Sequence, residues 1–125
     1  MTNEGEIREL LERYQRALND GDADLVMSCY AADATFMPTT LPTVTGTALH
    51  GWYAKFFEAT KMDVNFTIDE VVASGTVAYA LTRSQGTQTV LAKGTASPES
   101  NREVFIFGRE DGAWKITRYL FNKPQ

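Results

Sequence analysis

The chain has 125 residues and a net charge of −4, and 43% of its residues are hydrophobic. This size suits one domain with a single core. The acidic balance, without any run of Lys or Arg, argues against nucleic-acid binding. No apolar run approaches a membrane span in length, and the polar N-terminus is unlike a signal peptide. We therefore expect a cytoplasmic protein that binds neither nucleic acid nor membrane.

The N-terminal quarter predicts two helices. Asn3 and Glu6 are spaced like a capping box, and apolar residues at helical spacing extend the first helix over about 4–19. Gly21 is expected to end it in the left-handed conformation. Asp22 is a suitable cap for a shorter second helix. The buried residues of that helix would be Leu25, Val26 and Cys29, with Tyr30 as a further candidate.

A loop and an aromatic helix follow a short extended segment that begins at Asp33. The prolines, threonines and final glycine of 38–46 predict a loop, which is placed to overhang a pocket. A third helix is predicted over about 47–60. One side of this helix is apolar and carries Leu49, Trp52, Tyr53, Phe56 and Phe57.

The second half of the chain is typical of β structure. Extended runs are predicted at 64–73, 77–84 and 87–93, with a turn at 74–75 and a loop at 94–100. The clearest element is a hairpin over 102–121, because Asp111 and Gly112 accept the positive φ angles of a tight turn.

The hairpin carries apolar residues on both faces. Glu103, Phe105 and Phe107 share one face. The other face presents Val104, Ile106, Ile116 and Leu120, and it predicts a homodimer formed through the sheet. Helices followed by strands predict an α+β domain, in which a curved antiparallel sheet packs against three N-terminal helices and encloses a pocket.

Three stretches carry a family resemblance: ERYQRALNDGDADLVMSCYAADATF, the helix ALHGWYAKFF after Gly46, and FGREDGAWKITRYLF. They resemble the nuclear-transport-factor-2-like (NTF2-like) superfamily. Within it, the chain is similar to SnoaL-like and SgcJ/EcaC-like (DUF4440-type) proteins and to steroid Δ-isomerases. The resemblance covers nearly the whole chain and implies a single cone-shaped domain. It specifies activity poorly, because this scaffold hosts isomerases, cyclases, dehydratases and interaction domains.

The resemblance to steroid isomerases implies roles for three positions. Tyr14 matches a tyrosine that donates a hydrogen bond to the developing enolate oxygen, and Glu103 matches an acidic second donor. The catalytic base would fall at Pro38, where no carboxylate is available. Steroid isomerisation itself is therefore not expected.

Glu103 has two interpretations. Strand parity predicts that Arg83 lies on the inward face with Tyr79 and Leu81, where it would pair with Glu103 and keep it ionised as an acceptor or base. Unpaired and buried, Glu103 would hold its proton and donate. A structural ion pair at the pocket wall is the alternative to a functional one. Tyr14 likewise suits an ordinary core position.

The predicted pocket is mostly apolar with a few polar groups, which is the usual make-up of a site for a hydrophobic or aromatic ligand. Tyr14 and Glu103 are the candidate catalytic residues. The candidate ligand contacts are Arg83, Trp52, Tyr53, Phe56, Phe57, Tyr79, Phe105, Tyr119 and Phe121. The aromatic residues among them equally suit core packing.

Other chemistries lack their motifs. The single histidine, His50, falls off the aromatic stripe and has no partner motif, so we expect no metal. Cys29 reads as a small buried hydrophobe. No phosphate loop, dinucleotide fingerprint or serine-hydrolase elbow is present, and we expect no cofactor.

Three hypotheses of function remain. The first is acid/base chemistry of isomerase, cyclase or dehydratase type on a hydrophobic ligand. The second is ligand binding without catalysis. The third is a dimerisation or interaction domain, with the pocket filled by side chains such as Phe57 and Phe121.

Overall fold

A computed structural model describes residues 2–124. Its helices are Asn3–Asp20 (α1), Ala23–Cys29 (α2) and Ala48–Ala59 (α3). Its strands are Tyr30–Met37 (β1), Val44–Thr45 (β2), Thr60–Ser74 (β3), Val77–Val90 (β4), Thr95–Glu110 (β5) and Ala113–Asn122 (β6). They form one sheet in the order β2-β1-β6-β5-β4-β3.

The predicted α+β class is confirmed, and the three helices pack on one face of a curved sheet. The sheet is mixed, because β1 runs parallel to β6 while the remaining neighbours are antiparallel. The expectation of a purely antiparallel sheet was therefore wrong at β1. Its pairing joins the first strand of the chain to the last, and nothing local in either segment encodes it.

The helix ends follow capping chemistry, with one correction. Thr2 caps α1, since its hydroxyl accepts a hydrogen bond from the Gly5 amide at 3.0 Å. Asn3, the predicted cap, is the first helical residue. Gly21 ends α1 with φ 66°, as predicted. Asp22 caps α2, also as predicted, by accepting from the Leu25 amide at 3.0 Å.

Strands β4 and β5 are longer than predicted. Residues 87–90 continue β4 rather than forming a strand of their own, and the turn lies at 91–94. Residues 95–100, predicted as a loop, pair with β4 from Thr95 opposite Val90 onwards. Pro98 is accommodated because β6 pairs with β5 only from Arg102, which leaves that edge of β5 open.

The hairpin has the predicted turn, since Asp111 and Gly112 have φ of 52° and 80°. A bulge changes its phase, however. Ile106 lies opposite Arg118 and Phe107 opposite Ile116, so Thr117 is an extra residue. Ile116 is fully buried, and its predicted place on the outward face was wrong.

Helix α1 lies along the edge strand β3 and satisfies its outer backbone groups. The Asn19 side chain accepts from the Val64 amide at 2.8 Å and donates to the Val64 carbonyl at 2.9 Å. The Gln15 side chain accepts from the Phe66 amide at 2.8 Å. These contacts hold α1 over the inner face of the sheet, with Tyr14 directed into the core.

Candidate functional site

A cavity of about 340 Å³ lies between the helices and the inner face of the sheet. Its walls are mainly apolar and rich in aromatic side chains, so it suits a flat apolar molecule. The aromatic residues that line it are Tyr14, Phe36, Trp52, Tyr53, Phe56, Phe66, Tyr119 and Phe121. Pro38, Thr39 and Leu41 of the loop after β1 also line it, as the composition of that loop predicted.

Three buried tyrosines from different elements meet at the wall. The Tyr53 hydroxyl oxygen on α3 lies 2.6 Å from that of Tyr14 on α1 and 2.8 Å from that of Tyr30 at the start of β1. Three hydroxyl protons serve two hydrogen bonds within this group, so one O–H remains free to donate. Tyr14 and Tyr53 line the cavity and Tyr30 does not, so the free O–H lies at the cavity wall when it belongs to Tyr14 or Tyr53.

Burial keeps these hydroxyls neutral. Loss of hydration raises the pKa of the Tyr14, Tyr30 and Tyr53 phenols well above their ordinary values. The group therefore acts as a hydrogen-bond donor over the physiological pH range. Such a donor stabilises a carbonyl oxygen or an oxyanion.

Ring packing fixes the shape of the aromatic wall. Tyr119 stacks on Phe105 with centroids 4.1 Å apart and on Phe36 at 5.1 Å. Trp52 stacks on Phe56 at 5.5 Å. Because these rings support one another from both the sheet and α3, the wall is preorganised before a ligand arrives.

Glu103 lies on the inner face of β5 and is 4% exposed. The Thr82 hydroxyl donates to one of its carboxylate oxygens at 2.6 Å, and the Ser84 hydroxyl donates to the other at 2.5 Å. Burial raises the pKa of Glu103, while these two hydrogen bonds oppose the rise. Glu103 does not line the cavity, but Ser84 does. The Ser84 hydroxyl therefore lies between the Glu103 carboxylate and the cavity.

Arg83 lies on the outer face, and the predicted ion pair with Glu103 was wrong. Its guanidinium donates twice to Asp69, both at 2.8 Å. Tyr79 also faces outward, and its hydroxyl donates to Glu70. The predicted phase of β4 was wrong by one residue. The side chains on its inward face are small or carry hydroxyls, so this face lacks the large apolar residues that usually mark a buried face. The inward residues are Ala78, Ala80, Thr82 and Ser84.

The candidate catalytic residue Tyr14 lines the cavity, and so do five of the predicted ligand contacts: Trp52, Tyr53, Phe56, Tyr119 and Phe121. Phe105 is fully buried behind the wall against Tyr14 and Tyr119. Phe57 packs on Gly21 and Tyr53 and does not line the cavity. The sequence did not reveal that Tyr30 belongs to the hydrogen-bonded tyrosine group. A tyrosine at a helix–strand junction has no sequence pattern that distinguishes such a role from core packing.

Two charged side chains, Glu99 and Lys123, also line the cavity. Glu99 on β5 is 12% exposed, and its carboxylate pairs with the Lys123 ammonium, whose side chain is 49% exposed. Partial burial lowers the pKa of Lys123. Neither residue was singled out from the sequence, because Glu99 falls in the predicted loop at 94–100 and Lys123 follows the last predicted strand.

The remaining reactive side chains lie outside the cavity. His50 on α3 pairs with Asp24 at 2.8 Å on the surface. Cys29 is buried, and burial raises the pKa of its thiol. Within residues 2–124, no three His, Cys, Asp or Glu side chains are grouped to hold a metal. Over the same range, no helix has the length and apolarity needed to cross a membrane.

Solved structures share this fold over almost the whole chain. A ketosteroid isomerase-like protein from Erwinia carotovora atroseptica matches with a TM-score of 0.91 and 29% identity, over 99% of each chain. A conserved protein from Planctomyces limnophilus matches with a TM-score of 0.87 and 20% identity, over 96% of each chain. An NTF2-like superfamily protein from Salmonella enterica serovar Typhimurium matches with a TM-score of 0.84 and 17% identity, over 97% of this chain and 90% of that one.

These likenesses confirm the NTF2-like fold that the sequence predicted. No curated protein sequence matches the chain. The family model described as SnoaL-like domain matches residues 11–119, which include all three tyrosines and Glu103. The chain therefore belongs to the SnoaL-like domain family.

Proposed function

We propose that the protein binds a flat, largely apolar small molecule whose carbonyl or phenolic oxygen accepts a hydrogen bond from Tyr14. The observation that carries this proposal is the buried tyrosine group, which leaves one neutral O–H at the wall of an aromatic cavity. The aromatic walls supply affinity by burying apolar surface, and the hydroxyl orients the ligand.

Binding is favoured over steroid isomerisation because the cavity lacks a proton shuttle in the required place. Pro38, at the position that the steroid isomerases give to their base, is buried in the cavity wall and cannot titrate. The ketosteroid isomerase-like neighbour thus supports the scaffold and not the isomerase reaction.

A second candidate function is acid/base chemistry through Ser84. Its hydroxyl lines the cavity and donates to the buried Glu103 carboxylate. A ligand proton taken by the Ser84 oxygen, as Ser84 passes its own proton to Glu103, would leave an enolate beside the Tyr14 donor. Such a relay would serve an isomerase or a cyclase.

Binding can be tested with 4-acetyl-4′-ethylbiphenyl, a rigid apolar ketone, by following tryptophan fluorescence, since Trp52 lines the cavity and Trp114 does not. Tyr14→Phe is expected to weaken the ketone about fivefold to tenfold, the usual worth of one hydrogen bond. It should leave 4,4′-diethylbiphenyl, which has no oxygen, unchanged. Tyr79→Phe removes a tyrosine hydroxyl from the outer face and is the matched control. Equal losses for both ligands would contradict the donor role of Tyr14.

The second candidate has its own measurement. Exchange of the acetyl protons of the same ketone for deuterium in D2O is followed by NMR. If Ser84 and Glu103 relay protons, the wild-type protein accelerates the exchange, and Glu103→Gln and Ser84→Ala each abolish the acceleration while binding persists. Binding without any acceleration would leave ligand binding as the function and remove the catalytic candidate.

A further inference from the structure

We propose that Glu99 and Lys123 form a second anchoring point for the ligand, which binds a neutral hydroxyl or amide group at the end remote from Tyr14. This inference rests on the proposed function and narrows it. The ligand class becomes an elongated apolar molecule with an acceptor oxygen at one end and a group that both donates and accepts at the other.

The spacing along β5 sets the length of such a ligand. Tyr14 packs against Phe105, with ring centroids 5.9 Å apart. Glu99 lies six residues before Phe105 on the same strand, which at about 3.3 Å per residue separates their Cα atoms by roughly 20 Å. Because the glutamate side chain reaches toward the ligand, a molecule of about 10 to 15 Å, the length of two to four fused or linked rings, touches both ends.

The pair is suited to a polar but uncharged group. Its opposite charges cancel, so an ionic ligand group would meet one repulsive partner. A carboxylate offers about four acceptor positions and an ammonium three donors, so both keep free positions after pairing. A hydroxyl can donate to Glu99 and accept from Lys123 at once.

Burial makes the recognition selective. The Glu99 side chain is only 12% exposed, and Glu99 lines the same cavity as Phe121 and Trp52. A charged group in such a wall is stabilised by each hydrogen bond that a ligand makes to it. An apolar ligand end would instead displace the remaining water from the charged group without replacing its hydrogen bonds. The pair therefore favours a polar ligand end and disfavours an apolar one.

The test compares two probes of equal shape, 4-acetyl-4′-(hydroxymethyl)biphenyl and 4-acetyl-4′-ethylbiphenyl. We expect the wild-type protein to bind the hydroxymethyl probe about fivefold tighter, although the ethyl probe is the more hydrophobic. In the double variant Glu99→Leu, Lys123→Met, the preference should reverse in favour of the ethyl probe. Glu4→Gln, which breaks the glutamate ion pair with Arg8 on α1, is the matched control and should keep the wild-type preference.

The outcomes separate this inference from the proposed function. If both probes bind and both weaken in Tyr14→Phe, but the wild-type protein prefers the ethyl probe, the second anchoring point is wrong and the proposed function stands. The same holds if the double variant keeps the hydroxymethyl preference. If neither probe binds, both proposals fail.

The single variant Lys123→Met serves as a second test in case the double variant does not fold. It should fold, because Lys123 follows the last strand and is half exposed. It leaves the Glu99 carboxylate without its ammonium but still able to accept. The hydroxymethyl preference should therefore fall about twofold rather than reverse. A preference equal to that of the wild-type protein would exclude Lys123 from the anchoring point.

Discussion

At the scale of single residues, the three hydrogen-bonded tyrosines depend on the central hydroxyl, that of Tyr53. Tyr53→Phe leaves the buried hydroxyls of Tyr14 and Tyr30 without their shared partner, whereas Tyr30→Phe leaves Tyr53 still bonded to Tyr14. We expect Tyr53→Phe to lower the free energy of unfolding by about 2 kcal/mol and Tyr30→Phe by about 1 kcal/mol. Urea denaturation measures both. Equal costs would show that the hydroxyls do not act as one group.

The buried carboxyl of Glu103 predicts a pH dependence of stability. Its pKa is raised by burial, so the folded state binds the proton more tightly than the unfolded state. The stabilisation that the folded state gains from this proton is fully present below the ordinary glutamate pKa of about 4.3. It is lost as the pH rises through the pKa that Glu103 has in the folded protein. The isosteric Glu103→Gln lacks this titration, so its stability relative to the wild-type protein should rise between acidic and neutral pH. Urea denaturation at several pH values measures the difference, and a constant difference would contradict the direction of the shift.

The same two residues show what the sequence can reveal about the site. Tyr14 and Glu103 were identifiable because they match the two donor positions of the steroid isomerases, and Glu103 also places a charge on the strand face of Phe105 and Phe107. Arg83 was misplaced because a buried row of alanine, threonine and serine resembles an exposed one, and the outer row of β4 carries the larger Val77 and Leu81. Alternate residues of a strand face opposite sides of the sheet, but the sequence of β4 alone does not say which set faces the cavity. Contacts with the neighbouring elements decide this.

At the scale of elements, Gly86 marks the closest approach of two strands. A Cβ there would lie 2.0 Å from the Asp63 carbonyl oxygen and 2.8 Å from the Val64 Cα atom, both of the β3 backbone. We expect Gly86→Ala to cost about 2 to 3 kcal/mol of stability, as overpacking does. Gly51→Ala is the control, because that site in α3 is open and alanine should stabilise the helix by about 0.5 to 1 kcal/mol. Chemical denaturation tests both, and a mild effect at Gly86 would mean that β3 moves freely.

The helices were predictable to within a residue or two, since caps and periodicity are local signals. The strands were not. Gln85 and Gly86 were taken for a break between two strands, and Pro98 for part of a loop, yet pairing with a neighbouring strand continues the ladder through all three. Likewise, the bulge at Thr117 that buries Ile116 depends on the register with β5 rather than on any turn residue.

At the scale of the whole molecule, the apolar residues on the outer face of the sheet still predict a homodimer. Leu81, Val104 and Leu120 lie in one row across β4, β5 and β6, and Leu81 and Leu120 are 39% and 38% exposed. We expect a mass near twice the 13.9 kDa of the chain in analytical ultracentrifugation at micromolar concentration. Leu120→Glu should give the single-chain mass, while Leu91→Glu, in the turn after β4, should not. A wild-type monomer would contradict the prediction.

The two long margins of the sheet are protected in different ways. Side chains of α1 occupy the backbone groups of β3, but on β5 the segment 95–101 has β4 on one side and no strand on the other. An unpaired margin of this kind is where a foreign chain adds a strand and aggregation begins. Pro98 stands in the middle of it and has no N–H to offer, so a chain that docks there finds its ladder interrupted. We therefore expect Pro98, which made β5 look like a loop in the sequence, to hinder the addition of a further strand at the open edge of the sheet.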